Sequence, residues 1–114
     1  MKLSEVRDIL QAEVLSGEDK LDREVRSACG SDFMSDVLRY VKDQALLLTG
    51  LVNLQVVRTA DMTDVRCITF VRDKHPDEKL LALARERDIV VMSTPERMYK
   101  ACGKLYAQGL GREE

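Results

Sequence analysis

The sequence predicts an α/β fold, a compact, mostly parallel sheet of about four to five strands flanked by helices. Three observations carry that expectation. First, ALLLT (45–49), CITFV (67–71) and IVVMS (89–93) are continuous apolar runs, the pattern of strands buried on both faces. Second, the stretches between them, 52–60 and 77–87, place apolar residues at helical spacing. Third, strand and helix alternate at a regular interval, with strand starts at 45, 67 and 89. Such crossovers imply parallel strands with right-handed connections.

The elements follow in order. LSEVRDIL (3–10) sets Leu3, Val6, Ile9 and Leu10 on one helical face, with Ser4 placed to cap it. The short apolar pair Val14-Leu15 is followed by the turn residues SGEDK. Residues 23–29 alternate weakly, with Val25, Ser27 and Cys29 facing one way, and are read as a strand ended by Gly30 that extends the sheet, in parallel or at its edge. Ser31 or Asp32 would cap the next helix, in which Phe33, Val37, Leu38 and Val41 form one apolar face.

In the helix at 52–60, Leu54, Val56 and Val57 point inward, and Asp61-Met62-Thr63-Asp64 ends it. Pro76 fits near the first turn of the helix at 77–87, whose Leu80, Leu81, Leu83 and Ala84 face the core. Thr94-Pro95-Glu96 reads as the opening of the last helix: an N-cap, a proline at the first helical position and an acid at the positive helix end. That helix runs to about Ala107, and residues 108–114 are expected to fray. The whole chain, 1–114, is read as one domain.

Composition narrows the function classes. The chain has 114 residues, 45% hydrophobic and 33% charged, which is globular rather than disordered. With no Trp, two Phe and three Tyr, the core must be aliphatic. A net charge of −2 with interspersed signs gives no clustered basic face for nucleic acid and no polybasic reason to sit on a membrane. No apolar stretch approaches a membrane span and acids interrupt the N-terminal segment, so a cytoplasmic location is expected. An odd number of cysteines, three, fits a reducing compartment.

No catalytic constellation appears. The stretch LLLTGLVN outlines a strand, a turn and a helix, the unit that often cradles phosphate. It has one glycine and no lysine, unlike a P-loop, and lacks the three spaced glycines of a dinucleotide fingerprint. The turn is read as architectural, offering a ligand at most Thr49, Gly50 and Asn53. Cys29, Cys67 and Cys102 form no close pair, so they read as packed thiols, and no metal or other cofactor is implied. The single histidine, His75, stands in the polar turn RDKHP without a neighbouring nucleophile.

Each strand ends in small or polar residues, and ligands of open α/β sheets bind at those carboxyl ends. The candidate ligand-binding residues are therefore Ser31, Asp32, Thr49, Gly50, Asn53, Arg72, Asp73, Ser93 and Thr94. Arg72 and Lys74 would supply positive charge for a phosphate or carboxylate. The same Ser, Thr and Asp are also ordinary helix caps.

Four phrases carry a family resemblance: EVLSGEDKLDREV (13–25), ACGSDFMSDVL (28–38), LLLTG (46–50) and DIVVMSTPERMYKACGKL (88–105). With the order of elements they resemble the DRTGG domain, whose relatives include the N-terminal domain of HPr kinase. The resemblance spans nearly the whole chain. It implies an α/β fold, frequent dimerisation, no enzymatic activity of its own and a regulatory role beside nucleotide-binding or enzyme domains. The chain departs from the family at its two name-giving turns. Thr49-Gly50-Leu51 stands where a Gly-Asp-Arg turn would follow the central strand, and Val71-Arg72-Asp73 where a Thr-Gly-Gly turn would follow the next.

The resulting expectation is a non-catalytic regulatory or accessory domain, a homodimer sensing a small anionic ligand such as a nucleotide. One alternative is a protein-interaction adaptor for a metabolic or redox enzyme complex, with no ligand. A phosphotransferase-like enzyme is disfavoured, because phosphoryl transfer needs a phosphate cradle and metal ligands.

Overall fold

The computed structural model describes residues 1–112. Its elements run α1 (Leu3–Leu10), β1 (Glu13–Ser16), β2 (Ser27–Gly30), α2 (Met34–Tyr40), β3 (Ala45–Thr49), α3 (Leu54–Asp61), β4 (Val65–Phe70), α4 (Glu78–Glu86), β5 (Val90–Ser93) and α5 (Met98–Ala107). The strands form one sheet in the order β1-β5-β4-β3-β2. β2 to β5 are parallel and β1 runs antiparallel to β5. The expected α/β class and mostly parallel sheet are therefore present.

Because β2, β3, β4 and β5 are spatial neighbours in sequence order, each crossover steps the same way, and α2, α3 and α4 fall on one face of the sheet. Their core holds Ala45, Leu47, Ile68, Phe70 and Val91 with Val56, Val57, Leu80 and Ala84. α1 and α5 cover the other face, packing on Leu46, Leu48, Cys67, Val90 and Met92. Alternate residues of β3 thus serve two cores, which is why ALLLT is apolar throughout.

Several sequence expectations are corrected. β1, seen in sequence only as the pair Val14-Leu15, is a strand. It is made by pairing Glu13 with Ser93 and Val14 with Met92, with a bulge before Ser16. Gly17 follows at φ 89°, pressed so close to Val90 that a Cβ would lie 2.8 Å from its side chain. β2 begins at Ser27 rather than residue 23, and the expected common face fails: Val25 precedes the strand and packs on the α1–α5 side, whereas Cys29 packs on the α2–α4 side. It is both parallel and at the sheet edge.

Ser4 lies inside α1, whose cap position is Lys2. Neither Ser31 nor Asp32 caps α2, whose cap position is Phe33. α2 buries only Val37, leaving Phe33 71% and Leu38 49% exposed. A short helix at the sheet edge has room to bury only one stripe. Met62, in the turn that ends α3, is also exposed.

Thr94 and Pro95 do not open the last helix. α5 starts at Met98 with Arg97 in the cap position. Residues 108–112, expected to fray, form turns that bury Leu110 against the α1–α5 side of the core; residues 113–114 of that expected tail lie outside the described residues. Among the described residues no helix is long and apolar enough to cross a membrane.

Candidate functional site

The carboxyl ends of β2, β3 and β4 meet at one point. Parallel pairing sets Gly30 beside Leu48 and Thr49 beside Phe70, so the residues that follow each strand emerge side by side. After β2 comes Asp32, after β3 Gly50, and after β4 Arg72. Asp32 Oδ1 accepts hydrogen bonds from the Gly50 N–H at 2.7 Å and the Thr49 hydroxyl at 3.2 Å. Asp32 Oδ2 accepts from Arg72 Nη2 at 3.2 Å. The buried Thr49 hydroxyl also accepts from Leu51 N–H at 3.1 Å, which fixes its proton on Asp32.

These contacts hold the Asp32 carboxyl below its usual range. The Gly50 N–H contributes most; burial opposes it as the next largest effect, and the Arg72 guanidinium and the Thr49 hydroxyl add further lowering. Gly50 is there for space: a Cβ would lie 1.7 Å from Arg72 Nη2. The guanidinium lies directly over the glycine on its way to Asp32.

The loop after β4 has an unusual backbone. Arg72 and Asp73 are both left-handed, at φ 61° and 57°, a region that non-glycine residues rarely enter. The Arg72 N–H donates to Glu96 O at 2.8 Å and the Asp73 N–H to Thr94 O at 2.9 Å, which ties the turn to the loop after β5.

Of the candidate residues, Asp32, Thr49, Gly50 and Arg72 come together. The others have local tasks. Ser31 Oγ accepts from Phe33 N–H at 3.0 Å, and Asn53 Oδ1 accepts from Val56 N–H at 3.3 Å as the cap of α3. Ser93 Oγ donates to Lys74 O at 2.6 Å, and Thr94 Oγ1 donates to Leu10 O at 2.7 Å. The side chain of Asp73 is largely exposed, with His75 Nδ1 at 4.0 Å from its Oδ1. A cavity of about 450 Å³ opens between the loops after β3 and β4, lined by Val52, Asn53, Leu54, His75, Asp77, Lys79 and Leu80 and by none of the four junction residues. Sequence reading left His75 and Lys79 out of the site. The only available signal was their position near the start of α4. Among the described residues no group of three or more His, Cys, Asp or Glu could hold a metal ion.

No curated protein matches the sequence. Among solved structures, the fold is similar to the regulatory region of Clostridium perfringens pyrophosphatase, comprising CBS and DRTGG domains in complex with its activator diadenosine tetraphosphate. The TM-score is 0.75 at 15% identity over 91% of this chain and 45% of that one. The present chain thus spans less than half of that regulatory region. The family model for the DRTGG domain matches residues 5–107, and the chain belongs to the DRTGG domain family.

Proposed function

We propose that the chain is a non-catalytic regulatory domain that senses a small anionic ligand, a nucleotide or similar phosphate-bearing metabolite, at the carboxyl ends of β2, β3 and β4. The observation that carries the reading is the junction of Asp32, Thr49, Gly50 and Arg72, where one contact set links three strand ends. A ligand that engages these groups favours one arrangement of the loops over another and so shifts their populations. The likeness to a regulatory region that takes a nucleotide activator supports this reading. The family match supports the non-catalytic part of this reading. Cys29, Cys67 and Cys102 are all free thiols, which fits the reducing cytoplasm.

The test is a thermal-shift screen against nucleotides, inorganic phosphate and small carboxylates at constant ionic strength. A ligand at one hundred times its Kd stabilises the native state by about 2.7 kcal/mol, which for a domain of this size raises Tm by roughly ten degrees. A shift that disappears in Arg72→Ala supports the reading. A flat screen at millimolar ligand removes it.

A second reading, assembly through a protein surface, rests on a separate observation. Phe33, Leu38 and Tyr40 on α2 and Tyr99 and Tyr106 on α5 are exposed, and both helices pack beside the unpaired edge strand β2. The partner we assign to this face is a second copy of the chain. Sedimentation as a monomer at tens of micromolar would remove the homodimer and leave only a different protein as occupant.

A further inference from the structure

The three donors at the junction are those an oxyanion site needs: a backbone N–H, a hydroxyl and a guanidinium, converging from the ends of two adjacent strands. They already hold an anion, the carboxylate of Asp32. We propose that this is a phosphate-binding cradle kept closed by the chain's own Asp32, and that a phosphomonoester binds by displacing that carboxylate. The biological meaning of the cradle rests on the ligand-sensing reading above; its chemistry does not.

Displacement, rather than addition, follows from charge. A phosphate placed against Gly50, Thr49 and Arg72 while Asp32 stayed would meet a like charge at contact distance. Asp32 is well placed to leave. Its side chain is 40% exposed, and it sits on the link between β2 and α2. α2 is the most lightly anchored helix, with seven residues, one of them buried, and two large apolar side chains in solvent. Elements with few buried contacts open at low cost.

The rest of the cradle is rigid. Thr49 is fully buried at the end of the central strand β3. The backbone carrying Arg72 is fixed in its left-handed turn by bonds to Glu96 and Thr94. One side of the site is therefore fixed while the other can swing, and ligand entry would be read out as movement of the segment from Asp32 through α2. The cavity of about 450 Å³ lies between the loops that carry Gly50 and Arg72. It is within the size range of small-ligand sites and leaves room for the organic part of the ester. Lys79 in its wall would add positive charge, beside the Asp77 carboxylate that caps α4.

The experiment compares the wild type, Asp32→Ala and Asp32→Ala/Arg72→Ala by thermal shift. Inorganic phosphate, a nucleoside monophosphate and the parent nucleoside are each titrated against chloride at equal ionic strength. Phosphate should raise the Tm of Asp32→Ala by several degrees more than that of the wild type, and should not raise that of the double variant. The monophosphate should act at lower concentration than phosphate, with the nucleoside silent; equal action of the two would leave the cradle standing with free phosphate as its ligand. An Asp32→Ala protein no more responsive than the wild type, or a nucleoside as effective as its monophosphate, overturns the proposal. Should Asp32→Ala not fold, the wild-type amide resonance of Gly50 is followed during phosphate titration. A saturating shift there, with faster hydrogen exchange across α2, is expected, and an unmoved Gly50 overturns the cradle. The two readings fail separately. A wild-type ligand indifferent to Asp32 and Arg72 would keep the sensor and discard the cradle, whereas phosphate that binds both proteins, more tightly in Asp32→Ala, but leaves hydrogen exchange across α2 unchanged would keep the cradle and discard the sensor.

Discussion

Arg72 Nη2 lies 3.2 Å from Asp32 Oδ2, so the loop after β4 reaches across the end of β3 to the loop after β2. The two residues are forty positions apart in the chain. Between them lies Gly50, whose lack of a side chain lets the guanidinium pass. The contact is half-exposed, so its weight in stability is modest. Its importance is geometric, because it decides where the one arginine of the junction points.

Gly50→Ala should therefore break this contact while leaving the strands in place. The new Cβ would sit 1.7 Å from Arg72 Nη2, and a flexible side chain can swing out at little steric cost. The loss should be about 1 kcal/mol, the scale of a partly exposed ion pair and a shifted loop. In an Arg72→Ala background the same substitution should cost much less. A double-mutant cycle in urea measures the difference, and a coupling energy near zero would mean that the guanidinium does not lie over Gly50 in solution.

How much of this was legible in the sequence depends on the range of the interaction involved. β3, β4 and β5 were legible because burial on both faces writes itself as an uninterrupted apolar run. β1 was not, because four residues with two apolar side chains carry no period; only pairing with β5 makes Glu13–Ser16 a strand. Thr94-Pro95-Glu96 has the local signature of a helix start, and Thr94 Oγ1 does accept from the Glu96 N–H, but the hydroxyl also donates to Leu10 O, a partner no local pattern reveals, and α5 starts only at Met98. Phe33 looks like a core residue at helical spacing, but it occupies the cap position, with extended backbone, at the sheet edge. The candidate site was half legible. The carboxyl-end rule selected Asp32, Thr49, Gly50 and Arg72 along with five residues that serve the fold. It could not show that Asp32 faces Arg72, since that depends on strand order.

The left-handed turn makes its own prediction. Asp73, at φ 57°, carries a conformational cost that glycine does not. Its N–H bond to Thr94 O would survive the substitution. Asp73→Gly should thus stabilise the domain by about 0.5–1 kcal/mol, reduced from the full strain by the greater freedom of glycine in the unfolded chain. Asp73→Ala should destabilise it. At Arg72, with φ 61°, glycine should be close to neutral, because relief of strain is offset by loss of the Asp32 contact. Denaturant midpoints of the three variants give the order, and an Asp73→Gly protein weaker than the wild type would contradict the turn geometry.

Acid should loosen the junction. The Asp32 carboxyl is held below its ordinary range by the Gly50 N–H first, then by Arg72 and Thr49. A depressed carboxyl contributes stability that is complete above its unfolded pKa, about 3.9, and that is lost as pH falls through the folded value. Asp88 behaves alike, lowered by its bonds to Lys20 and Arg23. Asp32→Asn should therefore cost stability at pH 7 and cost progressively less below pH ~4, as the unfolded wild-type chain and then the folded protein protonate. Asp88→Asn should repeat the pattern independently, since the Lys20 and Arg23 cluster lies at the opposite ends of the strands. Urea unfolding of the three proteins from pH 7 to pH 2 checks this, and a parallel offset at every pH would show that Asp32 is not depressed.

Alkali should act through Cys67. This thiol is fully buried between β3 and β5, and burial pushes its pKa up to about 12, with small opposing effects from Thr69 and Arg23. In the unfolded chain it ionises near its ordinary value, about 8.5. Between the two values the unfolded state binds fewer protons than the native state, so stability must fall as pH rises from about 8.5 towards 12. Cys29 and Cys102, half-buried and also raised, add smaller contributions of the same sign. Cys67→Ala should lower stability at pH 7 by about 1 kcal/mol through lost packing, yet flatten the alkaline limb. The same burial predicts the labelling order: Cys67 should react with a thiol reagent only on global unfolding, after Cys29 and Cys102. Peptide mass mapping of partially labelled native protein tests this directly, and early modification of Cys67 would mean that the sheet opens between β3 and β5 well short of global unfolding.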